Sequence, residues 1–174
     1  TDDLSRMVDA ARDAIAAAAD ERALDDVRVR YLGKKGDLTA LLKMACERRE
    51  VGVNVLIYGP PGTGKTEFAK LLAKESACEL YEVECLDREG NSLSGKERYR
   101  SLQVSQAFLK GRSNTVLLFD EVEDVFPAAT PELTTLFGQE ERKSNSVNGK
   151  AWVNQTLEQN PVPTIWISNS IQQI

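Results

Sequence analysis

The residues Gly59-Pro60-Pro61-Gly62-Thr63-Gly64-Lys65-Thr66 have the types and spacing of a phosphate-binding loop, G-x-x-x-x-G-K-[ST]. Each type has a physical task. Glycines let backbone N–H groups close around a β-phosphate, Lys65 can reach the β and γ oxygens, and the Thr66 hydroxyl can ligate Mg²⁺. This chemistry needs a rigid mount: a strand that delivers the loop, and a helix whose N-terminal N–H groups and dipole face the anion. Both are legible. Val53-Asn54-Val55-Leu56-Ile57-Tyr58 reads as a buried strand, and Glu67 to Lys74 as an amphipathic helix. The expected ligand is a nucleoside triphosphate with Mg²⁺. It would be held by Gly59, Pro60, Pro61, Gly62, Thr63, Gly64, Lys65, Thr66 and, in the first helical turn, Glu67. A glycine turn with no ligand is the alternative for such a pattern.

A bound Mg-nucleotide also needs a carboxylate for the metal and a group that polarises the attacking water. Val116-Leu117-Leu118-Phe119-Asp120-Glu121 supplies both, because a continuous apolar run reads as a fully buried strand that ends by presenting two acids. Asp120 is expected in the Mg²⁺ shell beside Thr66, and Glu121 on the water. Two solvated acids opening a loop are the alternative. A third run, Thr164-Ile165-Trp166-Ile167-Ser168-Asn169, ends in an amide. In an open parallel sheet, ligands sit outside the carboxyl ends of the strands, so Lys65, Asp120, Glu121 and Asn169 should converge. Asn169 would then orient the water or γ-phosphate, and the expected catalytic residues are Lys65, Glu121 and Asn169. An ordinary turn asparagine is the alternative for Asn169, flanked as it is by Ser168 and Ser170.

The elements between these motifs must carry them. Glu79 to Cys85 alternates polar with apolar residues and reads as an outer strand, followed by a polar loop from Leu86 to Lys96. Glu97 to Leu109 reads as a crossover helix carrying Tyr99, Leu102, Ala107 and Phe108, with Gly111 at its stop. Residues 127–149, with Pro127, Pro131, Gly138 and a polar run, read as a mobile connection. Lys150 to Gln159 reads as a helix with Trp152 facing the core, ended by Asn160-Pro161.

The first 43 residues are helical in pattern. Leu4, Met7, Val8, Ala11, Ala14, Ile15 and Ala18 form one apolar stripe, Asp20 is placed to cap a second helix from Glu21 to Tyr31, and Gly33 to Gly36 breaks it. A third helix from Asp37 to Lys43 or slightly beyond follows, and it is expected to run straight into Glu47-Arg48-Arg49-Glu50. Arg28, Arg30, Lys34 and Lys35 could touch phosphates, but Asp25, Asp26 and Asp37 dilute the patch.

Residues from about 50 to 174 resemble the AAA+ ATPases, with Walker A at Gly59–Thr66, Walker B at Val116–Glu121 and a sensor-1 asparagine at Asn169. The resemblance implies ATP rather than GTP and an ATP hydrolase. It also implies a central P-loop strand and a ring or homo-oligomer acting on a protein substrate. Ser92-Leu93-Ser94-Gly95-Lys96 lacks the aromatic that such rings use to grip substrate. The chain stops at Ile174, and neither Arg112 nor Arg142 sits at the family's arginine-finger position. The expectation is therefore a sheet without its last strand and lid, with weak or partner-dependent turnover. Residues 1–43 resemble the N-terminal region of bacterial phenylalanyl-tRNA synthetase α subunits, most closely from Ala23 to Gly36. The organisation expected is 1–43 as a helical segment of that type and 44–174 as the AAA+ core, either a chimera of two families or a fragment. The fold class is α/β: a P-loop NTPase parallel sheet with flanking helices, cut before the lid, plus an N-terminal helical hairpin. The alternative function is a non-catalytic interaction or tRNA-binding module built on the N-terminal helices.

Bulk properties bound these readings. A chain of 174 residues suits one α/β domain with a small helical appendage, and a net charge of −5 argues against a dedicated nucleic-acid binder. The absence of histidine removes His-based triads and His metal sites, which leaves Mg²⁺ delivered with nucleotide. Cys46, Cys78 and Cys85 are odd in number and unpaired in pattern, as reduced thiols would be. With no membrane-spanning run and no signal peptide, the expected location is the cytoplasm.

Overall fold

A computed structural model of the chain describes residues 2–33, 36–125 and 154–169. Its centre is a four-stranded parallel sheet in the order β1-β4-β3-β2, with β1 at Asn54–Tyr58, β2 at Glu79–Glu82, β3 at Thr115–Phe119 and β4 at Thr164–Ser168. The two middle strands are buried along their whole length, as their unbroken apolar runs require. β2 lies at one edge, as its alternation implied. β1 lies at the other edge of the described sheet rather than at its centre. Its pairing with β4 covers one side only, and Leu56 and Tyr58 remain exposed.

Alternation along each strand sorts side chains into two layers. On one face Val116, Leu118, Ile165, Ile167 and Val55 pack under α3 (Asp37–Arg48) and α4 (Lys65–Glu75), through Leu42, Cys46, Ala69, Leu72 and Ala73. On the other, Leu117, Phe119 and Trp166 meet α5 (Gly95–Leu109) through Leu102 and Leu109. The sequence stripe on α5 is thereby corrected: Phe108 is 68% exposed, and the buried line runs Arg98, Leu102, Leu109. Phe108 instead lies under the Arg112 guanidinium, 4.7 Å from ring centroid to Cζ, so a cation shields it rather than the core. A full capping box starts α5 two residues earlier than its apolar pattern: the Ser94 hydroxyl accepts from Glu97 N, and the Glu97 carboxylate accepts from Ser94 N at 2.9 Å.

The N-terminal segment forms α1 (Asp2–Ala17), α2 (Glu21–Leu32) and α3. Asp20 caps α2 by accepting from Ala23 N at 2.7 Å. Val8 and Ile15 of the α1 stripe remain exposed. α3 runs through the expected join at residues 43 and 44 without a break, and the Ser76 hydroxyl after α4 donates to Thr39 O at 3.2 Å. The hairpin is therefore α1 and α2, while α3 is part of the sheet's cover. Lys34, Lys35, the connection at 127–149, Arg142, Trp152 and Ser170 lie outside the described residues.

Candidate functional site

Three strands end on the same side. β1 runs into Gly59, β3 into Asp120 and β4 into Asn169. β4 lies between the other two, so the amide stands between the glycine loop and the acids.

The loop between β1 and α4 turns through Gly62 at φ 76° and Gly64 at φ 79°. Both lie in the left-handed region that side chains resist, and a Cβ at either would meet no heavy atom within 4 Å. The backbone thus borders open space, which is the cradle a phosphate needs. Gly64 precedes the first residue of α4, so the N–H groups of Lys65, Thr66 and Glu67 lack partners within the helix and face that space with the positive end of the dipole. Pro60 and Pro61 are exposed in the loop, and the Thr63 hydroxyl donates to Pro60 O at 2.8 Å, which closes the turn. The Glu67 side chain points away. It pairs with Lys70 at 3.1 Å and holds that ammonium above the usual lysine range, so only the Glu67 backbone can serve a ligand.

Lys65 Nζ donates to Gly59 O at 2.8 Å, Pro60 O at 2.9 Å and Asn169 Oδ1 at 3.0 Å. Its ammonium therefore sits inside the loop, coupled to the tip of β4. The Thr66 hydroxyl donates to Asp120 Oδ2 at 2.7 Å, which brings the two expected metal ligands into direct contact across 54 residues of chain. The other oxygen of Asp120 accepts from Glu121 N at 2.8 Å. Glu121 adopts φ 51° and ψ 56°, a left-handed turn that ends the strand and leaves its side chain exposed. Four of the expected side chains thus make one cluster: Lys65 with Asn169, and Thr66 with Asp120. Glu121 joins it through its backbone.

Two residues outside the motifs shape this cluster. Glu123, in the 3₁₀ turn η1 (Val122–Asp124), accepts from Ser168 Oγ at 3.1 Å and from Asn169 N, so an acid from the β3 side fixes the tip of β4. Arg98 of α5 is 1% exposed and donates to Asp120 O and to Glu121 O, the latter at 3.1 Å. The signal for Arg98 was its place on the apolar line with Leu102 and Leu109, where a cation needs a buried acceptor. For Glu123 the repeat of acids after Phe119 was visible, but not which of them turns back to β4.

A parallel sheet with a glycine-rich loop entering a helix, and acids at the tip of a second buried strand, defines a P-loop nucleotide-binding fold. The family model for the ATPase family associated with various cellular activities (AAA) matches residues 55–174, well over half of the chain, and the chain belongs to that family. A second model, the aminoacyl tRNA synthetase class II N-terminal domain, matches residues 19–52. Among curated relatives, the phenylalanine–tRNA ligase alpha subunit of Chromohalobacter salexigens is 62% identical over 42 residues, 24% of this chain and 12% of that protein. The corresponding subunit of a Marinomonas species is 36% identical over 137 residues, 71% of this chain and 40% of the relative. The Holliday junction branch migration complex subunit RuvB of Latilactobacillus sakei is 39% identical over 74 residues, 40% of this chain and 22% of its own length. The chain therefore spans well under half of each of these relatives. Its family is of ATPase type. Among the described residues, no helix is long and apolar enough to cross a membrane.

Proposed function

We propose that this chain binds ATP with Mg²⁺ and hydrolyses it at the carboxyl end of the sheet. The observation that carries the reading is the contact of Thr66 with Asp120 and of Lys65 with Asn169 beside an open glycine cradle. Thr66 and Asp120 would hold the ion, which when bound draws charge from the β- and γ-phosphoryl oxygens. The N–H groups from Gly62 to Glu67 take the phosphates. Lys65 exchanges its carbonyl and amide contacts for phosphate oxygens, which frees Asn169 Oδ1 to orient water. Glu121 polarises that water.

Turnover by the chain alone is proposed to be weak or dependent on a partner copy, as in a ring or homo-oligomer acting on a protein. In support, Arg98 is committed to backbone carbonyls, while Arg112 stacks on Phe108 and bonds the Tyr81 hydroxyl at 3.4 Å. We keep 1–43 and 44–174 as the proposed division by origin, with α3 shared between them, and the cytoplasm as the place where three free thiols persist.

The second reading, a tRNA- or protein-binding module on α1 and α2, draws on the synthetase-type match at 19–52. Against it, Arg28 is paired with Asp25 at 2.8 Å and Arg30 covers the Tyr31 ring. A tRNA shift assay comparing the chain with an Arg28→Glu, Arg30→Glu double variant decides the RNA version, since equal shifts reject it.

Thermal unfolding with and without Mg-ATP tests the main reading. A ligand at a thousand times its Kd stabilises by about 4 kcal/mol. The parent should shift and Lys65→Ala should not, while Glu121→Gln should shift yet lose turnover. Equal hydrolysis by parent and Glu121→Gln removes Glu121 from its role.

A further inference from the structure

A guanidinium that is 1% exposed is costly to bury, and this one donates to the carbonyls of Asp120 and Glu121. The aromatic ring of Phe119 lies under it, 4.6 Å from centroid to Cζ. Arg98 therefore grips three consecutive residues, two by backbone and one by ring, at the point where β3 ends. This is where the chain departs from strand geometry, since Glu121 sits at φ 51° and ψ 56°. A left-handed residue other than glycine costs on the order of 1 kcal/mol and persists when its surroundings hold it. The turn's backbone is also held by the short-range bond from Glu121 N to Asp120 Oδ1.

We propose that Arg98 is a positioning residue for the Asp120-Glu121 turn, setting the Asp120 carboxylate at the distance from Thr66 at which the two can share Mg²⁺. This deepens the proposed ATP site and rests on that reading. The chemistry is directional. A guanidinium presents a planar fork of donors, so it can hold two successive carbonyls at once and fix the peptide between them. A lysine has the charge but no fork, and a methionine has neither. Pulled from behind by Arg98 and tied in front to Thr66 at 2.7 Å, the turn has one orientation. Without the rear contact, Asp120 retains its hydrogen bond to Thr66 but is no longer held against the pull of a divalent ion.

The test is calorimetric ATP binding to the full chain with and without Mg²⁺, for parent, Lys65→Ala, Arg98→Lys and Arg98→Met. The measured quantity is the Mg²⁺-dependent gain, the ratio of the two dissociation constants. Arg98→Met should bind Mg-free ATP within twofold of the parent while losing at least fivefold of the gain, and Arg98→Lys should recover part of it. A parent-like gain in Arg98→Met overturns the proposal. Equal weakening with and without Mg²⁺ also overturns it, because that is the mark of a merely structural residue. If Arg98→Met fails to melt cooperatively, Arg98→Lys decides: a reduced gain supports positioning, and a parent-like gain or loss of folding assigns Arg98 to the core alone. Failure of the underlying site is separate, since a parent that binds no better than Lys65→Ala removes the ATP reading itself.

Discussion

At the amino ends of β1 and β4, Asn54, Asn160, Thr164 and Trp166 satisfy one another, whereas at the carboxyl end of the sheet Lys65, Asp120 and Asn169 rest in contacts that a ligand can replace. Asn160 Nδ2 donates to Asn54 Oδ1 at 2.9 Å and Thr164 Oγ1 at 2.8 Å, while its Oδ1 accepts from Gln106 Nε2 and Val162 N. Asn54 donates to Leu157 O at 2.8 Å and Gly52 O at 3.0 Å, and its Oδ1 also accepts from Trp166 Nε1. Both amides use their full hydrogen-bonding capacity, and Asn160 is 1% exposed. The other end is partly exposed, and its loop borders open space. A closed polar network contributes to stability and fixes register. An open one gives up stability for binding.

Substitutions at the two ends should therefore read out in different measurements. Lys65→Ala should abolish the Mg-ATP stabilisation, about 4 kcal/mol at saturation, and leave unfolding of the ligand-free chain within about 0.5 kcal/mol of the parent. Asn160→Ala should do the reverse. Stranding buried partners costs about 1–3 kcal/mol each, so chemical denaturation should show a loss of about 2–4 kcal/mol with ATP affinity unchanged. If Asn160→Ala weakens ATP binding, or leaves stability untouched, the division between the ends fails.

The thiols sharpen the same contrast at smaller scale. Cys46 and Cys78 are buried beside the amino ends of β2 and β3, where Asn114 N donates to Cys46 O at 3.2 Å, while Cys85 is exposed. A side-chain hydrogen bond to Cys78, followed by burial, pushes the Cys46 thiol well above its ordinary range. A thiol titration of the folded chain should therefore modify Cys85 rapidly and leave Cys46 unreacted until unfolding. Rapid modification of Cys46 in the native state would show that this end is not closed.

The smallest effect concerns the cap of α5, the helix that carries Arg98. Hydrogen bonds from the Ser94 hydroxyl and then its backbone N–H hold the Glu97 carboxyl below its ordinary 4.5. A depressed carboxylate contributes above its unfolded value and loses that contribution as pH falls through the folded one. The Ser94 amide resonance should titrate with a midpoint below 4.5 while the open site at pH 7 is unaffected. A midpoint at or above that value contradicts the capping box.

Most of the site was legible before folding because its parts are local. The spacing from Gly59 to Thr66 specifies a loop and a helix start, and the apolar run before Asp120 specifies a buried strand ending in acids. Arg98 and Glu123 were not legible. An arginine on an apolar helix line has many acceptors it could seek, and four acids follow Phe119 within five residues. Only the approach of α5 to the tip of β3, and of η1 to the tip of β4, selects among them. The misjudged face of α5 has the same origin, since Phe108 and Leu109 are adjacent and differ only in which one the sheet meets.

By itself the sequence determined the chemistry types, the elements that carry them, and the two family signatures on one chain, because periodicity and motif spacing are short-range properties. The tertiary structure alone decided that α3 packs on the sheet, that β4 rather than another strand stands between loop and acids, and that Arg98 stands behind the turn. Each of these is a meeting of residues far apart in the chain, set by which faces bury together, and no local pattern encodes the partner.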